Sequence, residues 1–392
     1  MPADDGTLGV YVHVPFCERI CPYCDFAVVR APSLARDAED AFVDALLAEL
    51  ARRLPAFGAR RLASVYFGGG TPSRLRAESI ARVAECVTRA VPSGDAPVEI
   101  TLEVNPSTTE RARLPAFRAA GVNRLSVGIQ SFADATLKRL GRAHRAAEGH
   151  ATLAAAREAG FANLSLDLLF AAPSQSLRDL DADLDATLAF APEHVSAYAL
   201  TLEAGTPFER AAGRGRLAVP DDDTVAEMIA LVAERLGAGG LARYEVSSFA
   251  RAGFASRHNR RYWERRPVLG IGPGAWSSEA ASGGAPFGAR RANPRALESW
   301  RTRTLAGEDA GEVERLDEAT ARGEAMFLAL RTARGLDAAA FAREFGAFPR
   351  AFFATAIDEL VAAGLLVESA AGDLALTARG FLLSDSVFER FV

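Results

Sequence analysis

The sequence contains little cysteine and almost no lysine: four cysteines among 392 residues, and Lys138 alone of its kind. Secreted disulfide scaffolds are short and rich in cysteine, so this class of protein is excluded. No uninterrupted apolar run reaches the roughly 18 residues of a membrane-spanning helix. Positive charge is not in excess, because 45 Lys and Arg stand against 50 Asp and Glu, a formal charge of -5. Electrostatic nucleic-acid binding needs the opposite balance, and we expect no nucleic-acid partner.

The N-terminal segment lacks the features of a targeting sequence. Its first ten residues are acidic and have no apolar core, and a strand-like run begins by Leu8, so we expect neither a secretory signal nor a transit peptide. These observations predict a cytoplasmic protein without a transmembrane segment, and they leave peripheral membrane contact through partners open. In a reducing compartment, free thiols indicate metal or redox chemistry more often than disulfides.

The first 205 residues alternate between short apolar, strand-like runs and stretches with helical apolar spacing, such as 37–54 and 148–159. Such βα units with near-continuous apolar strands predict a parallel sheet that is covered by helices. The pattern fits six strands of an open barrel and equally a doubly wound sheet. The six predicted strands cover residues 8–14, 62–67, 98–104, 124–129, 164–170 and 194–201.

The alternation ends near residue 205. From there we predict a helix from about residue 220 to 236, a strand at 244–249, and a glycine-rich, loop-rich stretch that continues to about residue 310. The chain after this stretch is helical again. We therefore predict three domains, which cover residues 1–205, 206–310 and 311–392.

The sequence of the last domain predicts three helices followed by a hairpin around Gly372 and Asp373. This combination is typical of a small winged-helix-like domain. A DNA-binding role for it is poorly supported. Arg350 is the only cation in the helix predicted over 350–363, which also carries Asp358 and Glu359.

Three cysteines, Cys17, Cys21 and Cys24, follow directly on the first predicted strand. Thiolates this close in sequence can hold one metal centre, and such soft ligands in a reducing compartment select zinc or an iron–sulfur cluster. A structural zinc ion takes four protein ligands, and His13 could complete a Cys3His set. The fourth cysteine, Cys86, lies in a helical apolar stretch and is predicted to be a small core residue.

A glycine motif, Gly68-Gly69-Gly70-Thr71-Pro72, follows the second predicted strand. Together with the Cys-x3-Cys-x-aromatic-Cys loop after the first strand, it resembles the radical S-adenosylmethionine (SAM) superfamily. Both motifs lie at carboxyl ends of strands, where α/β folds place their sites. The resemblance implies an α/β fold with a partial (β/α)6 TIM-like barrel, and a [4Fe–4S] cluster on the three clustered cysteines. It also implies SAM, chelated to the open iron of that cluster.

Essentially the whole chain resembles one subgroup, the oxygen-independent coproporphyrinogen III oxidase family. A strand-end carboxylate or amide taken alone is more often a capping or loop residue, but placement at successive strand ends favours a shared site. Glycine also lets a backbone approach a ligand closely. The SAM-binding residues that the resemblance implies are Tyr11, Gly69, Gly70, Thr71, Glu103, Gln130, Arg142 and Asp167. A second SAM is left open.

The sequence departs from the oxidases at Phe26, where those enzymes carry a fourth cysteine. It also begins sixteen residues before Cys17, without their N-terminal extension. Both features resemble the heme chaperone branch, HemW, which shares the His-Asn-x-x-Tyr-Trp motif that starts here at His258. The resemblance implies a heme ligand role for His258, and neighbouring arginines are candidates to pair with heme propionates. The alternative is that His258 caps a helix and the arginines form a solvated face. These arginines are Arg257, Arg260, Arg261, Arg265 and Arg266.

We therefore predict a heme chaperone that binds heme, a [4Fe–4S] cluster and SAM, and delivers heme to acceptor heme proteins. In this prediction SAM and the cluster gate or regulate transfer, and an electron donor protein is a further partner. The alternative is an oxygen-independent coproporphyrinogen III oxidase of porphyrin biosynthesis, which converts propionates to vinyl groups by radical decarboxylation. Phe26 in place of the oxidase-type cysteine argues against that enzyme, and no catalytic residue is assigned.

Overall fold

In the part of the chain that the structure describes, the strands form one large sheet and two small sheets. The computed structural model describes residues 5–309 and 311–392, so residue 310, where a domain boundary is predicted, lies outside the described residues. In chain order the strands are β1 (Thr7–Val14), β2 (Phe16–Cys17), β3 (Val29–Arg30), β4 (Arg61–Gly69), β5 (Glu99–Val104), β6 (Arg124–Gln130), β7 (Leu164–Phe170), β8 (His194–Ala199), β9 (Ala242–Glu245), β10 (Ser248–Ala250), β11 (Val268–Ile271), β12 (Trp276–Glu279), β13 (Ala289–Ala292), β14 (Glu312–Arg315), β15 (Leu366–Glu368) and β16 (Leu374–Leu376).

The strand order in the large sheet distinguishes the two folds that fit the sequence pattern. Its parallel strands run in the order β11-β1-β4-β5-β6-β7-β8, so from β1 to β8 the order follows the chain without reversal. A doubly wound sheet reverses its strand order, whereas a (β/α) barrel does not. The chain therefore forms the predicted partial barrel. Antiparallel strands extend it at both edges, β10 and β9 beside β8, and β12 to β14 beyond β11.

Helices follow the parallel strands and pack on the outer face of the sheet, where they share its apolar core. Several begin at side-chain caps, such as Ser107, Ser176 and Asp221, each of which accepts a backbone N–H of the first turn. Among the described helices, none is both long and apolar enough to cross a membrane. The helices are α1 (Arg36–Arg53), α2 (Ala77–Ala90), α3 (Thr108–Ala119), α4 (Asp134–Arg139), α5 (Ala146–Glu158), α6 (Leu177–Ala189), α7 (Pro207–Ala212), α8 (Asp222–Ala238), α9 (Arg257–Trp263), α10 (Leu297–Leu305), α11 (Glu318–Leu330), α12 (Ala338–Phe345), α13 (Arg350–Ala362), α14 (Ala378–Leu382) and α15 (Ser384–Phe388).

Strands β1 and β6 present mainly apolar side chains on one face and polar side chains on the other, because successive residues of a strand point to opposite sides. In β1, Leu8, Val10 and Val12 are fully buried in the core shared with the helices, whereas Tyr11 and His13 point into the barrel. Strand β6 repeats the pattern, with Leu125, Val127 and Ile129 on the apolar face and Arg124, Ser126 and Gln130 on the polar face. The lumen is therefore polar, and it lies below the predicted site.

The chain after β14 has an apolar core of its own. Helices α11, α12 and α13 and the hairpin β15–β16 surround it, which is the arrangement predicted for the C-terminal region. Met326 and Ile357 are fully buried there. The cations of α13 do not form a basic surface, because Arg350 pairs with Asp358 and Glu368 at 2.8 and 2.6 Å.

This C-terminal unit contacts both ends of the opened barrel sheet. On one side, backbone N–H groups of Val246 and Ala333 donate to the carbonyls of Arg331 and Tyr244, both at 3.0 Å, which joins the unit to the β9–β10 hairpin. On the other side, Arg265 pairs with Glu344 of α12 at 2.8 Å. The unit thus contacts both the β9–β10 hairpin and the segment that leads into β11.

Three local predictions were wrong. The strand predicted at 244–249 is the hairpin of β9 and β10, the loop-rich stretch contains β11, β12 and β13, and β14 precedes the C-terminal helices. The glycines of this stretch explain the second error. A Cβ on Gly270 would lie 2.1 Å from the carbonyl oxygen of Trp276, so β11 and β12 pair this closely only with glycine, which a sequence pattern associates with loops.

A buried carboxylate joins α1 to the β11 edge of the barrel. Glu49 is 1 % exposed and accepts hydrogen bonds from Gly272 N, Asn293 Nδ2 and Trp300 Nε1 at 2.7 to 2.8 Å. Replacing Glu49 with alanine leaves these donors buried without their acceptor, so we expect the free energy of unfolding to fall by about 3 kcal/mol. Urea unfolding measures this change. The exposed Glu298→Ala variant is the control, and equal midpoints for the two variants would contradict the expectation.

Candidate functional site

The three clustered cysteines lie on the loop that leaves the top of β1. Cys17 ends the short strand β2 and is buried, while Cys21 and Cys24 are half-buried. Backbone hydrogen bonds hold the loop, from Cys24 N to Cys21 O at 3.1 Å and from Ala31 N to Cys17 O at 2.7 Å. The loop therefore places three thiols at the carboxyl end of the barrel strands.

The three thiols influence one another electrostatically. Burial raises the pKa of Cys17 to about 11, a hydrogen bond from Thr71 lowers it, and the neighbouring Cys24 and Cys21 raise it further. Burial also raises the pKa of Cys24. Thiolates in such a position need compensating positive charge, which a cationic metal centre supplies.

The donor set fits an iron–sulfur cluster better than a zinc ion. Three thiolates suffice for a four-iron cluster, because each binds a different iron and the fourth iron stays open, whereas a structural zinc ion takes four protein ligands. His13, the fourth ligand of the zinc alternative, has both ring nitrogens engaged. Its Nδ1 lies 3.1 Å from the Tyr11 hydroxyl and its Nε2 lies 2.9 Å from the Ala27 carbonyl oxygen.

The fourth cysteine lies elsewhere. Cys86 is on α2, half-buried against the core of the barrel and its helices. It packs against the core as predicted, but it is half-buried rather than fully buried.

The glycine motif follows β4 and packs directly on the cysteine loop. Gly69 has a φ of +109°, and a Cβ there would lie 2.5 Å from the His13 ring. A Cβ on Gly70 would lie 2.9 Å from the Pro15 backbone and 3.0 Å from Cys17 Sγ. Both positions therefore require glycine, and their backbone groups remain close to the thiol-bearing loop.

A polar chain connects two of the thiols across the top of the barrel. The Thr71 hydroxyl donates to Cys17 Sγ at 3.8 Å, and Asn105 Nδ2 donates to Thr71 Oγ1 at 2.8 Å. Arg142 then donates to Asn105 Oδ1, and its Nη1 donates to Cys21 Sγ at 3.8 Å. The predicted SAM residues Thr71 and Arg142 thus meet at the cysteine loop through Asn105.

Gln130 joins the same group from the end of β6. It adopts a φ of +65°, which is unusual for a residue other than glycine. Its Nε2 lies beside the Gly128 backbone together with Asn105 Oδ1 and Arg142 Nη2, and each of these atoms would be within 3.3 Å of a Cβ at Gly128. The strained backbone holds the Gln130 amide beside Arg142.

Two carboxylates lie on the lumen side of this group. Glu103 accepts from the Tyr66 hydroxyl at 2.9 Å and from the Gly69 N–H at 3.1 Å. Burial, reinforced by the nearby Asp167, raises the pKa of Glu103 to about 7. Asp167 accepts from the Ser126 hydroxyl at 2.9 Å, and burial raises its pKa as well.

A groove of about 680 Å³ opens beside Cys21. This volume is in the range of small-molecule sites. Thr71, Asn105 and Arg142 line it on the side of the polar chain, and Arg74 and Arg113 line its rim. The groove gives a cofactor of the size of SAM access to the cysteine loop.

His258 lies away from this groove, at the base of the lumen. It is 1 % exposed, its Nδ1 lies 2.9 Å from the Ser64 hydroxyl, and its Nε2 lies 3.1 Å from the Tyr262 hydroxyl. Burial lowers its pKa to about 3, so the ring is neutral. The helix cap is Ser256, which accepts from Asn259 N, so the alternative of a capping histidine is wrong.

The neighbouring arginines do not share one solvated face, because Arg257 and Arg260 are exposed whereas Arg265 and Arg266 are half-buried. Arg261 is buried and donates to the carbonyl oxygens of Thr7 and Pro267, at 2.8 and 2.9 Å. The other four also have protein partners, among them Pro97 O for Arg257, Glu264 for Arg260, Glu344 for Arg265 and Asp5 for Arg266. Pairing with heme propionates would compete with these partners.

Comparison with known proteins places the chain in a family. Residues 11–187 match the family model of the Radical SAM superfamily, and residues 316–383 match the HemN C-terminal domain. The chain is 34 % identical over 389 residues to the protein named heme chaperone HemW of Bacillus subtilis (strain 168). The aligned region covers 98 % of the chain and 99 % of that relative. The chain belongs to the HemW branch of the radical SAM superfamily. The prediction of this branch is confirmed.

Other relatives extend the comparison. The heme chaperone HemW of Lactococcus lactis is 32 % identical and covers 98 % of the chain and 97 % of its own length. The mitochondrial radical S-adenosyl methionine domain-containing protein 1 of mouse is 39 % identical, over 84 % of the chain and 74 % of that protein. The structure of coproporphyrinogen III oxidase (HemN) from Escherichia coli superposes with a TM-score of 0.81 at 22 % identity, over 100 % of the chain and 91 % of the oxidase. This likeness confirms the radical SAM barrel and the C-terminal domain. The chain is thus a heme-related radical SAM protein of the HemW branch.

Several residues of the site were not predicted from the sequence. His13 was named only as a possible fourth zinc ligand, and it contacts Gly69. Neither Asn105, which connects Thr71 to Arg142, nor Tyr66, which bonds Glu103, was predicted. Only Asn105 carried a signal, since it follows the strand-end Glu103 in the run Leu-Glu-Val-Asn-Pro.

Proposed function

We propose that this chain is a heme chaperone, which binds heme together with a [4Fe–4S] cluster and SAM and delivers the heme to acceptor heme proteins. The observation that carries the proposal is the similarity over nearly the full length to proteins named heme chaperone HemW, at 34 % and 32 % identity. Phe26 supports it, because this side chain is 65 % exposed beside the three-cysteine loop and supplies no fourth thiol. An electron donor protein is a further proposed partner.

The proposed cofactor site combines the thiols with the residues gathered around them. The three thiolates would hold three irons of the cluster and would leave the fourth iron available to SAM. When bound, the reduced cluster supplies the electron that cleaves SAM in radical SAM chemistry. The proposed cluster ligands are Cys17, Cys21 and Cys24, and the proposed SAM-binding residues are Tyr11, Gly69, Gly70, Thr71, Glu103, Gln130, Arg142 and Asp167.

The surrounding side chains perform distinct tasks in this proposal. Arg142 donates to Cys21 Sγ and places its charge where a thiolate must form, and Thr71 donates to Cys17 Sγ. Glu103 offers carboxylate oxygens to the SAM amino group, while Asp167 is held in place by the Ser126 hydroxyl. Gln130 presents its amide beside Arg142.

We propose the domain division 1–205, 206–310 and 311–392 for these tasks. The first domain carries the cluster and SAM site, the second carries the heme motif, and the third contacts the β9–β10 hairpin and the segment that leads into β11. Direct ligation of heme iron by His258, which the resemblance implies, is not part of this proposal. It requires α9 to open, because His258 is buried and its Nε2 is bonded to Tyr262.

One anaerobic experiment separates the chaperone from an oxidase. The cluster is reconstituted, SAM and a reductant are added, and heme binding is followed by its visible absorption. Transfer to the apo form of a b-type heme protein and consumption of coproporphyrinogen III are assayed in parallel. We expect stoichiometric heme binding and transfer, and no decarboxylation.

Two results would overturn the proposal. Multiple turnovers of coproporphyrinogen III without heme binding would identify an oxidase. Heme that binds but never reaches the acceptor, with or without SAM, would leave a heme-binding protein without chaperone activity.

A further inference from the structure

The ring of His258 is the base of a connected column of aromatic and polar side chains in the barrel lumen. Its centroid lies 5.1 Å from the ring of Tyr66 and 6.1 Å from that of Tyr11, with interplanar angles of 29° and 30°. Tyr11 and Tyr66 in turn stack at 6.1 Å. The three rings therefore pack as one unit between the base of the lumen and the cofactor site.

One arm of this column ends at the predicted SAM site. The Tyr66 hydroxyl donates to Glu103 Oε1 at 2.9 Å, and Glu103 Oε2 accepts the Gly69 N–H at 3.1 Å. The position of the Tyr66 ring thus determines where the carboxylate and the glycine turn lie. A shift of His258 reaches Glu103 through a single intervening side chain.

The other arm ends at the cysteine loop. The Tyr11 hydroxyl lies 3.1 Å from His13 Nδ1, and His13 Nε2 lies 2.9 Å from the carbonyl oxygen of Ala27. Ala27 follows Cys24 by three residues. The same ring that supports the SAM site therefore also supports the loop that carries the thiols.

The base of the column is fixed from below. The Glu99 carboxylate accepts the backbone N–H groups of Arg257 and His258 at 3.2 and 3.1 Å. The guanidinium of Arg331, from the end of α11, lies 4.5 Å from the centroid of Trp263. The C-terminal unit thereby holds α9 against the barrel, and α9 holds the imidazole under the tyrosines.

We infer that His258 is a positioning residue for the cofactor site, which acts through Tyr66 and Tyr11, and that its imidazole is not the axial ligand of heme. The inference rests on the proposed SAM and cluster site. It accounts for the Tyr and Trp of the motif as well as the His, because Tyr262 engages Nε2 and Trp263 anchors the helix to the C-terminal unit.

The test compares His258→Phe with Tyr66→Phe and with a matched control, His150→Phe, which changes an exposed histidine on α5. His258→Phe keeps an aromatic ring and removes both ring hydrogen bonds, and Tyr66→Phe removes only the hydroxyl that Glu103 accepts. Hydrogen exchange of the Gly69 amide is measured on cofactor-free protein. SAM affinity is measured after cluster reconstitution, and heme titrations follow the visible spectrum.

We expect His258→Phe to accelerate exchange at Gly69 and to weaken SAM binding by about tenfold, the scale of one lost hydrogen bond to a charged group. The heme spectrum and stoichiometry should not change. Tyr66→Phe should give similar changes. The effects of the double variant should be little larger than those of either single variant, because both substitutions act on Glu103 through the same contact. The His150→Phe control should match the wild type.

The inference is overturned if His258→Phe abolishes or shifts the heme spectrum while Gly69 exchange and SAM affinity stay at wild-type values. It is also overturned if the effects of His258→Phe and Tyr66→Phe add fully. A wild-type protein that assembles no cluster or binds no SAM would refute the proposed function instead. In that case exchange at Gly69 still decides the positioning role, and Tyr66→Phe decides it if His258→Phe does not fold.

Discussion

Replacing Cys17 with alanine should abolish assembly of the four-iron cluster, and the same loss is expected for Cys21→Ala and for Cys24→Ala. Each thiolate holds a different iron in the proposed site, and two remaining ligands do not retain a cluster that three protein thiolates anchor. Iron and acid-labile sulfide analysis after anaerobic reconstitution, together with the visible absorption of the cluster, measures the loss. SAM binding should disappear with the cluster, because the open iron is its anchor.

Cys86→Ala is the matched control for these variants. This thiol is half-buried against the core on α2 and is absent from the loop that carries the other three. The Cys86→Ala variant should therefore load its cluster as the wild type does. Retention of an intact four-iron cluster in Cys17→Ala would disprove the ligand assignment, and its loss in Cys86→Ala would implicate a ligand outside the loop.

The parallel strands were predictable because their apolar runs are short, regular and separated by helical stretches. The strand predicted at 164–170 has the bounds of β7, and the strand at 124–129 differs from β6 by one residue. The choice between an open barrel and a doubly wound sheet was not predictable. It depends on which strands pair, and pairing joins residues as distant as Tyr11 and Gly270.

The polar lumen was also not predicted from the sequence pattern. Strands that are buried on both faces were expected to be continuously apolar, yet β1 and β6 alternate between apolar and polar residues. In a barrel the inner face of each strand is covered by other strands, so its polar residues satisfy one another. Two lumen pairs illustrate this, since the Tyr66 hydroxyl donates to Glu103 and the Ser126 hydroxyl donates to Asp167, each at 2.9 Å.

The sequence motifs identified residues of the site, but they did not predict the hydrogen bonds that connect those residues. Cys17, Thr71 and Arg142 stand at marked positions in the sequence, but the contact that joins them runs through Asn105, and its geometry depends on the register of three strands. His258 shows the converse case. Its motif was evident, but whether the ring faces solvent or the lumen depends on how α9 packs under the barrel.

The second large effect concerns Glu103. Replacing it with glutamine should weaken SAM binding by about 100-fold at pH 8, because the loss of a charge-assisted hydrogen bond to an amino group costs up to about 3 kcal/mol. Isothermal titration of reconstituted protein with SAM measures the change. The Glu103→Gln side chain keeps the size of the original. Its amide oxygen can accept the Gly69 N–H while its NH2 group donates to the Tyr66 hydroxyl, so the turn of the glycine motif should be preserved.

The affinity of the wild type should also depend on pH in a defined direction. Burial and the neighbouring Asp167 raise the pKa of Glu103 to about 7, so the carboxyl is mostly protonated at pH 6 and mostly ionised at pH 8. Only the ionised form accepts the SAM amino group with full strength. Affinity should therefore rise from pH 6 to pH 8, by about tenfold for each unit below the pKa.

Glu103→Gln is also the control for this pH dependence, because SAM itself titrates in the same range and its contribution is common to both proteins. The difference between wild type and variant isolates Glu103, and it should grow from pH 6 to pH 8. The pKa of Glu103 is higher in the folded protein than in the unfolded chain, so the free energy of unfolding falls as pH rises from the unfolded-state pKa toward 7. The neutral glutamine avoids this loss, and Glu103→Gln should therefore unfold at a higher urea concentration than the wild type at pH 8. A pH-independent difference in SAM affinity would show that Glu103 is already ionised at pH 6, and equal affinities would remove it from the SAM site.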